Sequence, residues 1–300
     1  MRFRHFFMFL FNRKARFEIL SSRGFYNHLT DECYLKKAYK LKVGKKLNIE
    51  NPTTFNEKLQ WLKIHDRNPL YTNLVDKFLV KSYIENIIGK EYVIPTYGIY
   101  NRFGEIDFNQ LPNQFVIKCT HDSGGIVICK DKNQFDYVSA KNIIEKCLKR
   151  NYYYHGREWP YKNVEPRIIV EKYMEDKESK ELRDYKFFCF DGEPKIMFVA
   201  TDRGIYETKF NFYDMNFYLL PIKQHYPNDT RKIKKPIRFN EMKELAKKLS
   251  YGIPFVRIDF YEVNGKVYFG EITFSHFSGL MPFIPDEWDF KLGKMINLPI

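Results

Sequence analysis

The chain runs to 300 residues, room for one large domain or two closely packed ones. Hydrophobic residues make up 44 % of it, which supplies a sizeable core and excludes a chain disordered throughout. A net charge of +13 favours anionic partners: nucleotides, acidic sugars, nucleic acid or an anionic membrane face. The five cysteines are odd in number and lack C-x-x-C spacing. A disulfide framework and a zinc knuckle are therefore disfavoured, and a cytoplasmic, reducing setting is expected.

The first element is an apolar run over residues 6–11, flanked by Arg2, Arg4, Arg13, Lys14 and Arg16. It falls well short of the roughly 20 residues that cross a bilayer and has no small-residue cleavage site, so neither a span nor a secretory signal is expected. Two readings stay open for residues 1–17: a short helix in peripheral contact with the cytoplasmic membrane face, or a helix packed on the protein's own core. Helical patterning continues to about residue 90. Thr54 and Glu57 have the spacing of a capping box, and Phe55, Leu59 and Leu62 then share one face. A second helix is predicted through Leu74, Val75, Phe78, Leu79, Tyr83, Ile84, Ile87 and Ile88, stopping at Gly89.

Beyond Gly89 the hydrophobic period falls to two. Strands are predicted over 92–94, 97–100, 115–119 and 126–129, then a helix over 138–150, an aromatic loop over 151–166 and a strand over 168–173. Two hairpins follow: 185–190 with 195–200 across Asp191-Gly192, and 255–262 with 266–272 across Asn264-Gly265. A helix at 240–250 lies between them. Hairpins mixed with helices predict an α+β fold on antiparallel sheets, with a seam near residue 170.

Four stretches carry candidate chemistry. In Phe115 to Cys129 an apolar strand ends in Lys118, a polar loop of Thr120, His121, Asp122, Ser123, Gly124 and Gly125 follows, and a second apolar strand returns. Glycines allow close backbone approach to an anion, and a fixed lysine at the strand end adds a cation. No helix follows and the spacing is not G-x-x-x-x-G-K-[ST], so this is not a P-loop. In Ile168 to Met174 an apolar strand turns charged at Glu171 and Lys172, which exposes a backbone edge beside Tyr173 and the soft side chain of Met174.

The third stretch pairs Arg257 and Asp259 with Glu271 and Thr273. A two-residue turn at Asn264-Gly265 sets Asp259 opposite Gly270, which leaves Glu271 on the other face; a bulge or longer loop brings both acids to one face. Two carboxylates there suit Mg²⁺ on phosphate oxygens, and unpaired acids are otherwise rare among Val, Ile and Phe. The fourth stretch puts Asp184 and Lys186 on one strand face, near Asp202 and Arg203 in the hairpin, open to phosphate and metal or to cross-strand ion pairing. No H-E-x-x-H, no G-x-S-x-G, no helix-turn-helix and no RNP signature is present, so zinc hydrolysis, serine nucleophiles and nucleic-acid reading are disfavoured.

The order of lysine strand, Gly-rich hairpin, charged strand and acid-bearing hairpin resembles the ATP-grasp fold, two α+β lobes with antiparallel sheets clamping ATP. With Asn51 to Trp61 and Val75-Asp76-Lys77 added, the chain is similar to the TupA-like ATP-grasp family, named from teichuronopeptide biosynthesis, over about residues 25–285. The resemblance implies a helical N-terminal segment at 1–75, a lobe with the phosphate loop at 76–170 and a lobe with the Mg²⁺-binding hairpin at 171–300. It further implies Lys77, Lys118 and Thr120 to Gly125 on the ATP phosphates, and Glu171 with the backbone of Lys172, Tyr173 and Met174 on adenine. Asp184 joins the nucleotide set; Asp259, Glu271 and Thr273 hold Mg²⁺; Lys186 and Arg257 neutralise the transferred phosphoryl group. Thr273 departs from the family pattern, where Asn is common.

The chemistry so implied is carboxylate activation by ATP, followed by attack of an amine on the acyl phosphate. The expected substrates are a uronic-acid carboxyl of a surface polysaccharide or its precursor and an amino compound. Tyr152 to Trp159 offers rings for stacking sugars and Arg157 for their carboxylates, or else a structural aromatic plug. A sugar kinase, a glycosyltransferase and a non-catalytic partner in the same pathway are the alternatives.

Overall fold

A computed structural model describes residues 12–177, 182–202 and 207–299. The apolar run at 6–11 and Arg203 lie outside the described residues. Helices α1 (Arg13–Ser22), α2 (Asp31–Lys42), α3 (Phe55–His65), α4 (Leu70–Val75) and α5 (Leu79–Ile87) come first. Thr54 and Glu57 close the capping box at α3, side chain to backbone in both directions. In α1, Phe17 is buried and stacks on Tyr26 at 5.1 Å between ring centroids, so this part of the segment packs on the protein itself.

The helix predicted through Leu74 to Ile88 is in fact two. Asp76 is extended, and its Oδ1 accepts from the amides of Phe78 and Leu79 at 2.7 and 3.1 Å. A short acidic side chain thus offers the backbone a turn in place of helix. The Lys77 amide, released from the helix, donates to Thr120 O at 3.1 Å. The predicted strand at 92–94 is replaced by a 3₁₀ turn at Lys90–Tyr92 behind Gly89, whose φ is 120°.

A four-stranded antiparallel sheet follows, from β1 (Thr96–Tyr100), β2 (Phe115–Cys119), β3 (Ile126–Cys129) and β4 (Ile168–Lys172), in the order β1-β4-β2-β3. Helix α6 (Tyr137–Leu148) packs on one face and supplies Ala140, Ile144 and Cys147 to the core with Phe115, Ile117, Ile168 and Val170. The segment predicted as an aromatic loop contains α7 (Tyr153–Gly156) and buries Tyr153, Gly156, Arg157, Glu158, Pro160 and Tyr161.

The second sheet has six antiparallel strands: β5 (Asp184–Phe190), β6 (Glu193–Thr201), β7 (Lys209–Asp214), β8 (Leu219–Leu220), β9 (Phe255–Val263) and β10 (Lys266–Thr273), in the order β10-β9-β5-β6-β7-β8. One face, with Phe187, Met197, Val199, Ile258 and Phe260, is covered by α8 (Phe239–Ser250). On the other face Phe188, Phe198, Phe212 and Phe255 pack against Phe55 of α3 and Leu292 of α9 (Glu287–Gly293). Each fully buried Phe stabilises the fold by roughly 1.5–3 kcal/mol, which fixes the sheet between helices on both sides. Toward one end of this second face the aromatic row gives way to Asp184, Lys186, Arg257, Asp259, Glu271 and Thr273.

Candidate active site

The polar row begins with a break in the β9–β10 ladder. Phe269 pairs with Phe260, but the next pair is Glu271 with Asp259, so Gly270 is bulged out. The bulge puts both acids on the same face as Arg257 and Lys186. Arg257 donates Nε to Asp259 Oδ1 and Nη2 to Oδ2, each at 2.7 Å, and Lys186 Nζ also donates to Oδ2. Lys186 lies 3.5 Å from Asp184, and Arg257 lies 3.9 Å from Glu271.

Burial works to raise the Asp259 carboxyl, but Arg257 and Lys186 outweigh it and hold it below the usual carboxylate range. Burial pushes the Lys186 ammonium down against the pull of Asp259. His276, which the sequence left without a role, completes this row. Gln224 donates its amide to Met281 O, so its Oε1 accepts from His276 Nε2 at 2.8 Å. His276 Nδ1 is then an acceptor for Arg257 Nη1 at 2.9 Å. Burial, then Arg257 and Lys186, drive His276 well below its usual pKa, and the neutral ring steers the guanidinium.

On the four-stranded sheet Lys118 Nζ reaches Glu171 Oε2 at 2.6 Å, and Lys81 takes Oε1 at 2.5 Å. Burial raises Glu171, but Lys118 and then Lys81 overcome it and keep the carboxyl ionised. Lys81 was not singled out by the sequence reading; its place on the amphipathic helix α5 hid it. Immediately beyond Glu171, Lys172 is exposed, Tyr173 bonds Glu175 at 2.9 Å, and Met174 is buried with Ile94 and Val263. This segment therefore leaves one sheet and packs on the hairpin of the other.

The Gly-rich loop is anchored from inside. Thr120 Oγ1 donates to Glu165 O at 3.2 Å, and His121 Nε2 lies 3.1 Å from Arg150 O. Asp122 Oδ1 caps the Gly124 amide at 3.0 Å, while Oδ2 accepts from Arg150 at 2.5 Å and from the Cys147 thiol at 3.1 Å. Lys77 Nζ holds the Asp122 carbonyl at 2.5 Å. Thr120, His121 and Asp122 are thus buried supports, and Ser123 and Gly124 form the exposed tip. Among the described residues, His121, Asp122 and Cys147 bring three ligand atoms within 4.8 Å of one another, with Arg150 as the cation already paired there.

A cleft of about 320 Å³ opens at one end of the row, where Arg257, Glu271 and Thr273 line it; Lys77, Lys118, Glu171, Asp184, Lys186 and Asp259 are not among its lining residues. Ser123 of the loop lines it together with Arg257, Glu271 and Thr273 of the hairpin, and Tyr152, His155, Glu158 and Tyr161 form a further wall. Glu158 is the residue that the sequence reading passed over, grouped with aromatic neighbours as part of a sugar platform. Arg157 is withdrawn from that role: it is 2 % exposed and donates to Tyr26 O at 2.7 Å, stacked among Tyr34, Tyr153 and Tyr154. Arg157 and Tyr153 form the plug; Tyr152 and Tyr161 face the cleft.

The hairpin's donor set fits a hard cation. Thr273 Oγ1 is buried with no hydrogen-bond partner among the described residues, two residues along from Glu271, whose side chain is 32 % exposed. Oxygen donors of this kind suit Mg²⁺. Asp259 has both oxygens engaged by cations, so such an ion would fall to Glu271 and Thr273.

Two antiparallel sheets, one bearing Lys118 and a Gly-rich hairpin whose tip, Ser123, reaches the cleft, the other bearing the acid hairpin that lines it, make an α+β protein of the ATP-grasp class. The model of the TupA-like ATP-grasp family matches residues 57–297, and the chain belongs to that family. Similar solved structures include D-alanine–D-alanine ligase from Helicobacter pylori, at 15 % identity and TM-score 0.45 over 81 % of this chain and 69 % of that one. The enzyme of the same name from Bacillus anthracis, complexed with ATP, is 12 % identical at TM-score 0.42, over 95 % and 96 %. The ATP-grasp ligase PsnB with its minimal precursor is 10 % identical at TM-score 0.40, over 73 % and 59 %. No curated protein matches the sequence.

Proposed function

We propose that the protein is an ATP- and Mg²⁺-dependent carboxylate–amine ligase, acting on uronic-acid carboxyls of a cell-surface polysaccharide or its precursor. The observation that carries this reading is the shared cleft, in which the tip of the Gly-rich loop meets Arg257, Glu271 and Thr273. In this reading Lys77 and Lys118 bind the phosphates, Ser123 and Gly124 cover them, and Glu171 to Met174 receive adenine beside Asp184. Glu271 and Thr273, with Asp259 behind them, would hold Mg²⁺, which would supply charge neutralisation to the phosphates. Arg257 and Lys186 stabilise the charge that develops as the phosphoryl group moves, a task of positioning more than of covalent chemistry.

The net charge of +13 and the tyrosines of the cleft support an acidic sugar as the carboxyl substrate. The proposed setting is the cytoplasm, and peripheral membrane contact belongs to residues 1–17 alone. No helix among the described residues is long and apolar enough to cross a membrane.

The test incubates protein, ATP, Mg²⁺ and a glucuronic-acid oligosaccharide with a pool of primary amines, followed by mass spectrometry and phosphorus NMR. An amide with ADP and inorganic phosphate is expected. Phosphate left on the glycan identifies a kinase instead, and ADP release without amide from any pairing rejects the ligase.

A further inference from the structure

Glu158 occupies the wall of the cleft that also holds Arg257, Glu271 and Thr273. It is 4 % exposed, and among the described residues its carboxylate receives one hydrogen bond, from Ser278 Oγ to Oε1 at 2.5 Å. Lys63 is the buried cation nearby, yet its three Nζ hydrogens go elsewhere: to Gln60 Oε1 at 3.0 Å, Gly156 O at 2.8 Å and Ser278 O at 2.6 Å. The carboxylate therefore lies in a water-poor wall, balanced at a distance, with acceptor capacity left over toward the cleft. Burying such a group is costly unless something completes its bonding.

The position is built, too. Arg157, at φ 54°, is held in the left-handed region by its amide N–H, which donates to Tyr153 O at 2.7 Å, and by its buried guanidinium. A Cβ on Gly156 would come within 2.4 Å of Ser278 Oγ and 3.3 Å of Glu158 Oε1, so the glycine admits the approach of these two side chains. Burial also raises the Glu158 carboxyl above its usual range, toward the basicity that proton transfer needs.

We infer that Glu158 binds the ammonium group of the amine substrate and accepts a proton from it as the amine attacks the activated carboxyl. This rests on the ligase reading above. The ammonium gives one proton to Glu158, and the freed nitrogen lone pair forms the C–N bond to the acyl carbon. The C–O bond to phosphate breaks with its electron pair on the leaving oxygen. That phosphate takes the second nitrogen proton, and Glu158 returns its own to solvent.

Hydroxylamine separates this step from the one before it, since it is unprotonated near neutral pH and captures acyl phosphates without a base. Wild type and Glu158→Gln are each given ATP, Mg²⁺ and a glucuronic-acid oligosaccharide, with either hydroxylamine or a pool of ammonia, ethanolamine and amino acids. The expected result is a fall of about 100-fold or more in the ratio of amide to hydroxamate at neutral pH, narrowing as pH rises toward the amine's own pKa, where free amine attacks without a base. A ratio within about threefold of wild type overturns the inference, as does parallel loss of both products. Wild-type hydroxamate without any amide also overturns it. Absence of hydroxamate from wild type rejects carboxylate activation itself, and the inference with it.

Discussion

Arg257 grips Asp259 with two hydrogen bonds of 2.7 Å, yet stands 3.9 Å from Glu271 on the neighbouring strand. The two acids therefore do different work. Asp259 is the buried counter-charge for Arg257 and Lys186, and its removal strands two cations in the sheet. Asp259→Ala is expected to cost about 3–5 kcal/mol, read as a lower urea midpoint. Glu271→Gln, at a partly exposed position without a close ion pair, is expected to change stability by less than about 0.5 kcal/mol. Its effect is on Mg²⁺-dependent ATP binding, which calorimetry should show lost. Equal destabilisation by both variants would refute this division.

Gly125 carries a steric constraint rather than a conformational one. A Cβ there would lie 2.3 Å from Cys147 Sγ and 2.8 Å from Cys119 Sγ. Gly125→Ala should overpack the base of the loop by about 1–3 kcal/mol. Cys147→Ala removes the nearer sulfur, so the double variant should recover part of that loss. A double-mutant cycle on thermal unfolding reads the coupling, and strict additivity would show that the clash is relieved some other way.

The sequence was most legible where one short-range rule acts alone. The box at Thr54 and Glu57 and the turn at Asn264-Gly265 are local chemistry, and strands Phe115–Cys119 and Ile126–Cys129 fall at their predicted limits. The face of Glu271 was not decided by that turn, because the bulge at Gly270 intervenes between turn and acid. Strand Lys209–Asp214 was missed because Phe210, Asn211, Phe212 and Tyr213 are all buried, which erases the period of two. Glu158 was hidden for a different reason: its meaning depends on Ser278 and Lys63, 120 residues later and 95 earlier in the chain.

Lys118 gives a test of nucleotide binding that needs no acceptor. A ligand at 100 times its Kd stabilises the folded state by about 2.7 kcal/mol, an upward shift of several degrees in Tm. Saturating ATP with Mg²⁺ should give this shift in wild type. Lys118→Met leaves Lys81 on Glu171 at 2.5 Å, so the fold retains one ion pair at that carboxylate. The variant should unfold near the wild-type temperature without ligand and show no shift with it. A full shift in Lys118→Met would remove Lys118 from the phosphate site.

Lys63 sets a pH signature on stability. Burial pulls its ammonium from the ordinary 10.5 down to about 7 in the folded protein, against the opposing pull of Glu158. Between those values the unfolded chain binds more protons at this position than the folded one. Stability attributable to Lys63 must therefore rise with pH across that window, by up to about 1.4 kcal/mol per pH unit. Glu158, raised by burial, acts with the opposite sign, as pH climbs from its unfolded value to its folded one. Lys63→Met removes three hydrogen bonds to buried oxygens and should be less stable throughout. The informative quantity is the slope: denaturant midpoints from pH 7 to 10 should rise in wild type relative to the variant. Parallel curves would mean that Lys63 keeps its proton in the folded protein, held by the carbonyls of Gly156 and Ser278.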